Sequence, residues 1–340
     1  TLTLLTNTGG GIIRATSGNA VRVAGSVATI TNASAGTGGI RATTGSAIST
    51  TGAGNLDLIT NTNGLITSAN VSTTTGGTIV LGSDVAGLTI TSGTVDNTGG
   101  GNVIAVTADQ TGSISSSAAV TATATTNAVR FENAAGTFVN TGAVTGRVTS
   151  SADTKAQTYT QNTGGSITGT GTVIDFNDGG DTVNLNAGII TGNVDLGAGG
   201  DTFVYGDATS ATGLVGTLAF GAGTNTFSIN ESMTTGGAIT STAGTTNATV
   251  AVGKTFTVGH AVGLAGGTLT NNGTTVIGAG STVTATADVV GASGKYIFGV
   301  SNATATNGTG AVAGLLDLSG GAAQSGIDAL ADIEIQTTSS

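Results

Sequence analysis

The residues of this chain best spaced for chemistry are the aspartates of segment 175–207, which holds six of the fifteen in the sequence. Asp175 and Asp195 lie 20 residues apart, and so do Asp181 and Asp201. If the chain returns on itself every 20 residues here, each pair stacks one rung apart, at about 5 Å. Carboxylates at that distance repel unless they are screened or bridged. Oxygen-rich turns of Asp, Asn and backbone carbonyls suit Ca²⁺. Asp175, Asp181, Asp195 and Asp201 are therefore the candidate calcium ligands, and Ca²⁺ is the one cofactor the sequence offers. The competing and simpler reading makes each a solvated aspartate that hydrogen-bonds its own turn.

The other reactive side chains are sparse. His260 is the sole histidine, within Val258-Gly259-His260-Ala261-Val262 and without a neighbouring acid. A multi-histidine metal site or a Ser–His triad would depend on it alone, so a plain turn position is expected. The eight basic residues are scattered at 14, 22, 41, 130, 147, 155, 254 and 295. Arg130 and Glu132 read as a surface ion pair. A polysaccharide-degrading enzyme needs acids and bases converging in a cleft, and the sequence assigns no catalytic residue. Arg14 and Arg41 occupy one repeat position with Arg22 nearby, which reads as an anion-binding stripe or as a solvated face. Thr-x-Thr runs recur at 1–3, 89–91, 121–125, 255–257, 268–270 and 282–286. Ice binding would need them at a regular period; their uneven intervals favour outward Thr alternating with inward aliphatics. Sequons at Asn32, Asn70, Asn230, Asn247, Asn272, Asn302 and Asn307 match the number chance gives in a chain this rich in Asn, Ser and Thr.

Composition narrows the partners. Eight Lys plus Arg against eighteen Asp plus Glu leave a net charge of −10, which opposes phosphate-driven nucleic-acid binding and adhesion to an anionic bilayer. There is no Cys, hence no disulfide or thiolate site. Mean hydropathy is positive and charged residues make up 8%, so the chain is expected to fold in solution rather than stay disordered. No apolar run reaches membrane-spanning length, and three Tyr, eight Phe and no Trp are too few for the girdles of a membrane barrel. No membrane insertion by this segment is expected. Thr1-Leu2-Thr3-Leu4 carries no charged leader, so any signal peptide is expected to be already absent.

The elements that must position these side chains are short strands. Runs such as Gly87-Leu88-Thr89-Ile90-Thr91 and Lys254-Thr255-Phe256-Thr257-Val258 alternate with period two between Gly, Asn or Asp. They recur as larger units. Ile13-Arg14-Ala15-Thr16 returns as Ile40-Arg41-Ala42-Thr43, 27 residues on. Leu5-Thr6-Asn7-Thr8 returns as Ile30-Thr31-Asn32-Ala33 and Ile59-Thr60-Asn61-Thr62, after 25 and then 29. Gly179-Gly180-Asp181-Thr182-Val183 returns as Gly199-Gly200-Asp201-Thr202-Phe203 and, weakly, as Gly223-Thr224-Asn225-Thr226-Phe227. Inward columns Ile174/Val194/Leu218, Phe176/Leu196/Phe220 and Val183/Phe203/Phe227 follow. The fold expected is all-β: one elongated parallel β-helix over 1–340, with coils of about 20–29 residues. Roughly 15 coils would stack into a rod about 70 Å long.

Gly266-Gly267-Thr268-Leu269-Thr270-Asn271-Asn272-Gly273-Thr274, Phe138-Val139-Asn140-Thr141-Gly142-Ala143-Val144 and segment 194–203 resemble the β-helical passenger domains of autotransporters and filamentous-haemagglutinin-like adhesins of Gram-negative bacteria. The resemblance implies a secreted, cell-surface, non-catalytic structural or adhesive protein: stalk, coat or filament building block. A surface-layer subunit stabilised by calcium and a glycan-binding adhesin are the alternatives. That family's aromatic-ended membrane barrel is not in this sequence. Gly197, Gly199, Asp201 and Phe203 also resemble a degenerate calcium-binding nonapeptide of repeat-in-toxin β-rolls, although those repeat every nine residues.

Thr1–Thr6 is apolar and uncharged, and only 325–335 reads as a partial cap. An uncapped coil is an unpaired edge. The expected partners are further copies of the chain, end to end or laterally, or the adjoining coils of a longer chain, and host or cell-surface glycans.

Overall fold

β-Branched residues alternating with Thr, Ser and Asn place one face of each short run toward an apolar interior. The intervening Gly and Asn permit the sharp corners that close a coil. The structure, a computed structural model, describes residues 2–24, 27–34, 38–52, 56–151, 154–206, 213–301, 312–317 and 332–338. Asp207, Asn302, Asn307 and residues 325–331 of the expected cap lie outside them. Strands are the only regular elements among the described residues. They stack in parallel as a β-solenoid of about 11 turns.

Contacts group the chain into two compact units, Thr1–Gly179 with Ile190–Gly192, and Gly180–Ile189 with Asn193–Ser340. In the first, three parallel ladders run side by side. One begins Leu2–Thr8, Val27–Ala33, Leu56–Asn63 and Gly87–Ile90. The second begins Ile12–Ala15, Gly39–Ala42, Leu65–Ser68 and Thr94–Asn97. The third begins Val21–Val23, Ile48–Thr51, Gly77–Gly82 and Asn102–Val106.

The offsets read from the sequence are the observed registers. Ile13 pairs with Ile40 and Arg14 with Arg41, and Leu5, Ile30 and Ile59 follow one another in a column. That column continues through Leu88, Ile114, Phe138 and Tyr159. From Ile30 to Tyr159 every member is buried. Its intervals are 25, 29, 29, 26, 24 and 21 residues, so all but the last of these coils are longer than an even division of the chain into 15 would give.

The second unit repeats the plan. Val183, Phe203 and Phe227 are in register and fully buried, as expected, and Val194 pairs with Leu218. Its interior is aromatic: Phe203 and Phe256 both set ring edges against Phe227 at 6.0 Å between centroids. One face is a separate sheet of Met233–Thr234, Thr255–Val258, Thr274–Ile277, Lys295–Ser301 and Asp332–Thr338. Val312–Ala313 joins Lys295–Ser301 antiparallel, a departure from the all-parallel expectation.

Candidate functional site

Asp181 and Asp201 precede the strands Thr182–Leu185 and Thr202–Tyr205, whose Thr182 and Thr202 pair in register. The 20-residue offset therefore brings the two together, but inside the coil, with both fully buried. The Asp181 N–H donates to Asp201 Oδ1 at 3.0 Å, and the Asp201 N–H donates to Asn225 Oδ1 at 3.0 Å. Asn225 Nδ2 continues the ladder to Thr246 Oγ1 at 3.3 Å, and that hydroxyl donates to Ser241 Oγ at 2.9 Å. The Asp201 and Asn225 oxygens thus each satisfy a backbone donor ahead of the strands Thr182–Leu185 and Thr202–Tyr205. Asp201 Oδ2 is buried without a hydrogen-bond partner among the described residues. Burial pushes the Asp201 carboxyl up to about 6; the Asp181 N–H opposes that rise and the Asp195 charge adds to it.

The other two candidates have different tasks. Asp195 is half-buried and accepts the Gly197 N–H at 3.1 Å, the local turn bond that the simpler reading expects. Asp175, in the first unit, holds Arg147, whose Nε also donates to the Thr172 carbonyl at 2.8 Å. Asp181 and Asp201 are thus neighbours on successive coils of the second unit, while Asp195 is engaged by its own turn and Asp175 by Arg147. Among the described residues, no three of His, Cys, Asp and Glu form a group that could hold a metal ion.

Arg14 and Arg41 stack in register on the second ladder of the first unit, while Arg22 lies on the third ladder, opposite Ser49. A cavity of about 320 Å³ opens over the stacked pair, lined also by Thr43, Thr67, Ser68 and Thr98. Arg130 Nε meets Glu132 at 3.0 Å, as the sequence suggests. His260 is exposed, with Nδ1 2.9 Å from the Thr235 carbonyl, an acceptor that fixes this nitrogen as the donor.

Two features escaped sequence reasoning. Asn7, Asn32 and Asn61, which share a repeat position, are buried as an amide ladder: Asn7 Nδ2 donates to Asn32 Oδ1 at 2.9 Å, and Asn32 Nδ2 to Asn61 Oδ1 at 2.8 Å. The signal was their shared repeat position. The same ladder removes Asn32 as a glycosylation acceptor, since its amide is enclosed. The second is a column of Thr6, Thr31, Thr60 and Thr89, in register despite uneven sequence intervals because turns of different length absorb the difference. Its neighbours two residues earlier are Leu4, Thr29, Leu58 and Gly87, and two residues later Thr8, Ala33, Thr62 and Thr91.

No family model matches the chain, and neither a curated protein nor a solved structure matches it.

Proposed function

We propose that this protein is a non-catalytic structural or adhesive component of a bacterial cell surface, a building block of a stalk, coat or filament that associates with itself. The observation that carries the reading is the continuity of the in-register parallel ladders around an interior filled by aliphatic columns and amide ladders. Such coils resist local opening, because strands are held by the coils on either side and corner donors such as those of Asp181 and Asp201 by side chains. The resemblance to autotransporter passengers supports a secreted location, and the low charge and absence of Cys agree with that style of chain.

Self-association rests on the parallel edges that a stack of such coils presents. Leu2–Thr8, Ile12–Ala15 and Val21–Val23 pair with the coil that follows, and their other edges have no strand among the described residues. An unpaired parallel edge is a template for another strand. A second copy of the chain or adjoining coils of a longer one would complete it. Sedimentation velocity across a concentration series tests the reading, with species growing beyond the monomer as expected. A single monomeric boundary at every concentration, for the full-length mature protein, would contradict it.

A further inference from the structure

We propose that Asp288 is a proton-operated latch: the coils over 262–298 in the second unit stay firm while its carboxyl holds a proton and loosen once it ionises. The inference does not depend on the assembly role above.

Register places this carboxyl inside the coil. Leu269 pairs with Asp288, so Asp288 continues the inward column of Val183, Phe203, Phe227, Ala248 and Leu269. It is 3% exposed. Two neighbouring columns change character over the same coils. Ile229 and Val250 are followed by Asn271, and Met233 and Phe256 by Thr275 and Tyr296. All of these side chains are buried. Three apolar columns thus turn polar together, between the strands Val262–Asn271 and Thr274–Ile277 of one coil and Thr282–Val290 and Lys295–Ser301 of the next.

The polar atoms meet at one phenol. The Tyr296 hydroxyl donates to Asp288 Oδ1 at 2.6 Å, and the Asn271 amide also hydrogen-bonds that hydroxyl. Asn271 Nδ2 donates to the Lys295 carbonyl at 2.9 Å, which fixes the orientation of the amide. Asn271 Oδ1, Thr275 Oγ1 and Asp288 Oδ2 are left buried without hydrogen-bond partners among the described residues.

A carboxylate at this place has no cation to face. Its own strand, Val262–Asn271 and Thr274–Ile277 carry no other charged residue. Lys295 alternates with Tyr296 and so belongs to the opposite face. Asp332 and Glu334 pair with Lys295 and Ile297, while Ile333 pairs with Tyr296. Asp317 pairs with Thr284, an exposed position. An ionised carboxyl buried without a countercharge is costly. Burial accordingly pushes Asp288 up from its ordinary value, against the Tyr296 hydroxyl and the Val289 N–H, which lower it. A proton on Oδ2 removes the charge and makes that oxygen a donor in a group whose other two unpartnered oxygens can accept. One carboxylate among neutral oxygens falls short of a calcium shell, so the proton is the cation that this cluster favours.

A folded pKa raised above the unfolded one stabilises the fold below the ordinary carboxylate value, and that contribution is lost as pH rises through the raised value. The coils around Asp288 therefore loosen toward alkaline pH rather than in acid.

The test is hydrogen exchange read by mass spectrometry on the full chain between about pH 4 and about pH 8, with each rate corrected for its intrinsic chemical rate. Asp201→Asn serves as the background, because Asp201 also titrates inside this unit. In that background, protection of the strands within 262–298 is expected to fall about tenfold or more as pH rises. Adding Asp288→Asn, which keeps an oxygen for Tyr296 and always presents a donor, is expected to hold protection at its low-pH level throughout. Asp288→Leu, which restores the aliphatic residue of the column, is expected to give the same flat profile. No fall with pH, or an equal fall with Asp288 replaced, would overturn the proposal. So would recovery of protection at the higher pH on adding Ca²⁺ or K⁺, since the ligand would then be a metal cation.

Discussion

Asp201 is the residue where burial and charge conflict most. Its carboxyl lies inside the coil, one oxygen capping the Asp181 N–H and the other without a hydrogen-bond partner among the described residues, and burial raises its pKa from 3.8 to about 6. A raised folded pKa stabilises the folded state below the ordinary value, and that contribution is lost as pH rises through the folded one. The interval is worth about 3 kcal/mol. Asp201→Asn keeps the capping oxygen and removes the buried charge, as Asn225 already does one rung on. It is expected to stabilise the protein by about 2–3 kcal/mol at pH 7 and to leave it nearly unchanged at pH 4. Denaturant titration at the two pH values checks this; a destabilised variant at pH 7 would mean that the charge is needed there. The same geometry bears on calcium. With Asp175 held by Arg147 and Asp195 by its own turn, millimolar Ca²⁺ is expected to leave the melting temperature unchanged, and a rise of several degrees in thermal denaturation would show a shell that these contacts do not form.

At the scale of elements, the corners decide which coils can stack. Gly223 has φ of +121°, and a Cβ there would stand 1.6 Å from the Gly199 carbonyl oxygen of the preceding coil. Gly244 repeats the arrangement one coil later, with a Cβ position 2.2 Å from the Gly223 oxygen. Gly223→Ala is therefore expected to cost about 2–5 kcal/mol, from the disfavoured φ and the overlap together. Gly253→Ala, with φ of +72° and open space around its Cβ position, is expected to cost about 1–2 kcal/mol. Equal losses in denaturant unfolding would contradict the close approach. The strand registers were legible in the sequence because side chains of one column must suit the same interior position. Ile13 and Ile40, or Val183, Phe203 and Phe227, keep that likeness across the turns. What faces inward at a corner was not legible. Asn32 is polar within a strand and Asp201 looks like a turn residue, yet a side-chain amide ladder holds the first inside the coil and the Asp181 N–H the second. The site over Arg14 and Arg41 was half legible: the shared repeat position showed the stacked pair, but the cavity depends on the turns at Thr43 and Thr98, whose path no period encodes.

At the scale of the whole molecule, the proposed role is mechanical. Parallel ladders hold each coil to the next, and buried columns fill the interior of the described coils. This is the logic that composition follows. Pro would remove a donor from any strand it entered, and the chain has none; Gly supplies the close corners, and 60 residues are Gly. The central claim, that the full-length mature protein is a self-associating surface building block, is tested most directly by electron microscopy of the native object on cells and after purification. The account predicts filaments, sheets or an ordered coat built from this chain. Uniformly dispersed monomers in both preparations would contradict it.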